Sequence, residues 1–180
     1  MKAFIRIGLC AALLSLGGCA TVPAARTTPT ELDFAKFDRG IVVDEVLIAP
    51  GAMADLPDAE LAALARDLRL ALMNSLPSDE LVREAAPGVL RIAVTVTEID
   101  ASSPAVNAVT AALLFVPLDR GGIAFEARFY DGQGEVPIAV VTHRKTGTPL
   151  DLAGSFRRFG HAVGAIEDWG ASLAKAFEET

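Results

Sequence analysis

The chain has 180 residues, enough for one domain with a sizeable core and too few for two domains plus a targeting segment. Its formal charge is -7 with no basic cluster, which excludes the counterion release that drives binding to nucleic acid and offers no charge-based attraction to anionic lipid. Cys10 and Cys19, the two cysteines, both lie near the N-terminus, so no disulfide framework is expected and stability must come from packing.

In chain order, Met1 to Arg6 is short and basic, and Ile7 to Leu16 is an apolar run of ten residues. That run is about half the roughly 20 residues a helix needs to cross a bilayer, so it reads as a secretory signal and not as a permanent span. It ends in Leu16-Gly17-Gly18-Cys19, which resembles the bacterial lipobox: a branched apolar residue, two small residues that fit a peptidase cleft, then the thiol that takes lipid. The resemblance implies a signal peptide over residues 1–18, cleavage before Cys19, and anchoring through two or three acyl chains such as palmitate. One chain alone would bind a membrane only reversibly. Ala20 follows the cysteine where Asp would signal retention, which implies an outer-membrane, periplasm-facing location. Residues 19–39, with Pro23, Thr27, Thr28, Pro29 and Thr30, read as the lipidated cysteine and a flexible tether, and residues 40–180 as a single α+β domain.

Gly40 to Ile48 is β-branched and stopped by Pro50-Gly51, so it predicts the first strand. A helix follows from Pro57 to about Asn74, with Asp58 and Glu60 near its positive end and Leu61, Leu64, Leu68, Leu72 and Leu76 on one stripe. Leu90 to Thr97 alternates with period two, as does Ile123 to Tyr130. Asp131-Gly132-Gln133-Gly134 then turns the chain into a further strand over Val136 to Thr142, making a hairpin. Phe156, Phe159, Val163, Ile166, Trp169, Leu173 and Phe177 predict one long amphipathic helix from about Leu152 to Glu178, in which Gly160 and Gly164 would let it approach its neighbour closely. The expected fold is α+β: a single layer of about four to five mixed or antiparallel strands with two amphipathic helices on one face.

Catalytic and metal chemistry find little support. His143 and His161 sit in different elements with no ligand spacing, Ser155 lacks a nucleophile elbow and fits a helix's first turn, and Gly132-x-Gly134 precedes a strand where a phosphate cradle needs a helix. We therefore expect no metal, no cofactor and no enzymatic activity. The stretch from Pro104 to Pro117 is nearly uncharged and fits neither strand alternation nor a helical stripe. It is either a buried crossover or a surface for lipid or protein, and the expectation is a mixture, with the Asn107 end exposed and Leu113-Leu114-Phe115 buried.

Asn107 and Thr110, then Arg120-Gly121-Gly122-Ile123-Ala124-Phe125-Glu126-Ala127, Asp131, Gly134-Glu135 and the terminal helix with Trp169, resemble an uncharacterised family of small proteobacterial outer-membrane lipoproteins, a domain of unknown function. The resemblance covers roughly residues 40–178 and implies a lipid-anchored, periplasm-facing domain without assigned activity; Gln133 stands where that pattern has Thr. The function expected is a non-catalytic binding or accessory module for a protein partner in the envelope, the alternative being a binder of lipid or a small apolar ligand. Besides the lipidation site Cys19, the candidate partner-binding residues are Asn107, Thr110, Leu113, Leu114, Phe115, Arg120, Gly121 and Gly122.

Overall fold

The structure is a computed structural model in which residues 32–53, 56–114, 119–148 and 152–179 are described. One mixed sheet carries five strands: β1 (Ile41–Val43), β2 (Leu47–Ile48), β3 (Leu90–Asp100), β4 (Gly122–Asp131) and β5 (Ala139–Thr146). The path β1-β3-β4-β5 is joined by β2, which also pairs with β3. Helix α1 (Asp58–Asn74) is the crossover that makes β1 and β2 parallel to β3, whereas β3, β4 and β5 are antiparallel neighbours.

The predicted first strand is present but broken. Val43 pairs with Ile92 and Leu47 with Thr95, so four steps on one strand face three on the other and the extra residue bends the chain away from β3. The guanidinium of Arg69 on α1 fills the gap, donating to the Val43 carbonyl at 2.9 and 3.2 Å and to the Asp44 carbonyl at 3.1 Å. Both carbonyls would otherwise lack ladder partners.

Leu90, Ile92, Val94 and Val96 of β3 and Phe125, Ala127 and Phe129 of β4 point to one face and are buried, and each large side chain there contributes about 1.5–3 kcal/mol. Helix α4 (Gly160–Glu178) covers that face with Ile166, Trp169 and Leu173, beside Leu64, Leu68 and Leu72 of α1. Two amphipathic helices on one face of the sheet is the arrangement the sequence predicts. The opposite face carries polar ladders, with Glu126 paired to Arg128, and Glu98 to Arg144 across β4.

Four details differ from the sequence reading. The long C-terminal helix is interrupted: a short α3 (Leu152–Ser155) precedes α4, and a turn brings Gly160 against the backbone of Gly154. The close approach to α1 occurs at Gly170, where a Cβ would lie 2.8 Å from the Ser75 Cβ and 3.1 Å from the Leu72 Cδ1, whereas Gly160 meets Gly154. The last strand runs Ala139–Thr146, starting three residues and ending four residues later than predicted. Finally, Phe34 and Phe37 are buried, and Phe34 meets Phe177 edge-on at 5.7 Å, so the packed chain begins before Gly40.

These pairings fix the sheet's two ends. The N-terminal residues, the start of β3 and the end of α4 share one end. The row Asp100, Gly122 and Thr146 marks the other, where the chain leaves β3 and where α4 begins.

Candidate functional site

At that second end lies α2 (Pro104–Leu114), the segment for which the sequence showed no helical stripe. The stripe is absent because nearly every residue is apolar, and periodicity needs contrast; Ala, Leu and a proline in the first turn nonetheless favour helix. Its polarity is inverted. Asn107 is fully buried, whereas Val106 is 48%, Val109 59% and Leu113 73% exposed. A helix on a water-soluble surface normally places these the other way round.

Asn107 attaches the helix. Its Nδ2 donates to the Asp119 carbonyl at 2.9 Å and to the Ser155 carbonyl at 2.7 Å, and its Oδ1 accepts from the Asp119 N–H at 2.8 Å. Around it, the Asp119 carboxylate accepts from the Ser103 N–H at 2.6 Å, the Ser102 hydroxyl donates to the Arg157 carbonyl at 2.8 Å, and Thr110 Oγ1 donates to the Asn107 carbonyl at 3.3 Å. Buried amides persist only when their donors and acceptors are met, and here one side chain ties three segments together.

The structure therefore corrects the expected division of this stretch. Asn107 itself is buried, because its amide has three backbone partners, while its neighbours Val106 and Ala108 are exposed, and Leu113 is exposed as well. The side chains of Leu114 and Phe115, and Cys19, lie outside the described residues. Arg120 is exposed. Gly121 and Gly122 are buried and serve close backbone approach: a Cβ on Gly121 would lie 2.7 Å from the Asp100 carbonyl oxygen, and one on Gly122 2.9 Å from that of Lys145. Their place is under the site and not on its surface.

Sequence reasoning missed two features here. Val106, Val109 and Leu113 follow helical spacing, a signal that was available once a helix was assumed. The second feature is Ser155 Oγ, which lies 3.2 Å from Nε2 of His161, a hydroxyl–imidazole pair that no motif announces. Both residues are buried, and the His161 ring packs so tightly under Gly147 that a Cβ there would overlap it. His161 also lines a hollow of about 300 Å³ with Lys145, Thr148 and Asp168. Among the described residues no three His, Cys, Asp or Glu side chains converge as metal ligands, and no helix is long and apolar enough to cross a membrane.

Nearby, His143 on the helix side of β5 stacks at 5.2 Å on Phe125, and burial, aided by the Lys145 charge, holds its imidazole below the ordinary 6.5. Lys145 in turn pairs with Asp168 of α4.

A comparison with curated proteins finds no match to the chain. Among solved structures, a dodecameric PelC variant from Paraburkholderia phytofirmans is similar over 77% of this chain and 82% of its own, at 12% identity and a TM-score of 0.43. A Xanthomonas campestris protein assigned to the family DUF330 is similar over 75% of this chain and 81% of its own, at 13% identity and a TM-score of 0.44. The family model for DUF3313 matches residues 28–173, spanning the sheet, both long helices up to Leu173 and the whole α2 attachment. The chain belongs to DUF3313, a family of proteins of unknown function.

Proposed function

We propose that the protein is a lipid-anchored, non-catalytic module of the bacterial outer membrane that docks a protein partner through the outward side of α2. The observation that carries this reading is the inverted helix: its one buried polar residue faces the domain, and Val106, Val109 and Leu113 face out. Leaving such side chains in water forgoes about 1.5–3 kcal/mol each, a gain available to whatever covers them.

Geometry favours a protein over the anchoring membrane as that cover. If Cys19 carries the lipid, the anchored chain enters the described domain at Leu32. Leu32 and Phe34 sit at the end of the sheet opposite α2, separated from it by the eleven residues of β3, about 36 Å at the usual rise. An anchor at one end holds the other end away from the bilayer.

The second reading, a binder of a small apolar ligand, needs a cleft lined by α2. The exposure of Val106, Val109 and Leu113 on the outward side of α2 favours the docking surface. The test uses two variants of the full-length chain expressed in its own envelope. Cys19→Ser should appear in the periplasm or as uncleaved precursor. Val109→Asp should stay membrane-bound and folded but lose, on a native gel, the second protein that the unaltered chain carries in its band. An unaltered chain whose band holds no other protein, or a Val109→Asp variant that keeps that protein, contradicts the reading.

A further inference from the structure

The two edges of the sheet are built differently. One edge is short and bent: β1 has three residues and β2 two, an extra residue separates them, Arg69 takes the freed carbonyls, and Leu81 bridges Ile41 from outside. These are the devices by which proteins keep an edge from recruiting another strand. The other edge, β5, is eight residues long, pairs with β4 in unbroken register from Ala139 to Thr146, and contains no proline.

The register fixes which backbone groups look outward. The Gly147 N–H bonds the Gly121 carbonyl at 2.7 Å and continues the β4–β5 ladder, so residues 139, 141, 143 and 145 exchange bonds with β4. Val140, Thr142, Arg144 and Thr146 turn their N–H and C=O groups away from the sheet. Among the described residues none of these groups has a hydrogen-bond partner.

We infer that β5 pairs antiparallel with β5 of a second copy of this chain, joining two sheets into one. The charge pattern of the strand selects this occupant. His143, Arg144 and Lys145 fill the second half of β5, and Ala139 to Thr142 leave the first half uncharged. Antiparallel pairing about a twofold axis sets Arg144 and Lys145 of each copy against residues 139–142 of the other, so like charges are not opposed; parallel pairing would align them. Glu98 and Asp168 already hold these two cations within their own chain, which limits the repulsion an approaching copy meets. The contact lies on the sheet edge and leaves α2 uncovered, so it stands or falls apart from the partner proposed above.

The test is thiol bridging in intact membranes of cells making full-length chains with one added cysteine. Thr142→Cys should give a species of twice the chain mass, about tenfold more abundant than Leu47→Cys, an exposed position on the opposite edge. Adding Val140→Pro, which removes an outward N–H and leaves the β4 ladder intact, should return bridging to the Leu47→Cys level. Equal bridging at both positions, a Thr142→Cys adduct whose mass matches another protein, or bridging that persists in a folded Val140→Pro variant overturns the inference. Cysteine at these exposed positions costs little stability, so the comparison decides the matter even if the proline variant fails to fold.

Discussion

Asn107 shows how one side chain can determine where a whole helix sits. Asn107→Ala removes three hydrogen bonds to the Asp119 and Ser155 backbone, so denaturant unfolding should show a loss of about 3 kcal/mol. A cost under about 0.5 kcal/mol would mean that α2 is held by something else. From the sequence, a lone Asn in an apolar run reads equally well as an exposed polar tip or a buried hook, and only three-dimensional partners decide. The Ser155–His161 pair was hidden for the same reason: the two residues are six apart, in a break between helices that the apolar spacing bridged without a sign. His143 carries the pH prediction. Its folded pKa is depressed, so the unfolded chain binds the proton more readily; the stability tied to neutral His143 is complete above about 6.5 and is lost as pH falls through the lowered value. His143→Gln should flatten the stability profile on that acid side, as read from thermal midpoints measured between pH 7 and 5. An unchanged profile would remove His143 from the account.

At the scale of elements, strong periodicity translated directly. Alternation in Leu90–Val96 and Ile123–Phe129 gave β3 and β4, and the leucine stripe gave α1, because each has one wet and one dry face. Two elements lacked that contrast: α2 is apolar almost all round, and the β1–β2 break depends on an arginine from a helix twenty-five residues away. Helix packing supplies a further prediction. Gly170→Leu would drive a side chain into Leu72 and Ser75 and should destabilise the α1–α4 contact by about 1–3 kcal/mol. The single tryptophan, Trp169, is buried on α4 one residue from that contact and reports it by fluorescence. A fully stable Gly170→Leu variant would show that the helices pack elsewhere. For α2 itself, Leu113→Asp should leave folding stability within about 0.5 kcal/mol, because the side chain is already in water.

Across the described residues, the features separate by position: the chain from Leu32 enters at one end of the sheet, α2 stands at the other, and a regular free edge runs between them along β5. That arrangement suits the proposed role of a tethered adaptor, whose anchor would join at the first end and whose contact surface would be α2 at the other. The most direct test of that claim is photo-crosslinking in the intact envelope from a photoreactive residue at Val109, with exposed Arg66 on α1 as the reference position. The account predicts a discrete protein adduct at Val109 that is absent at Arg66. An adduct only with phospholipid, or equal labelling at both positions, would contradict it.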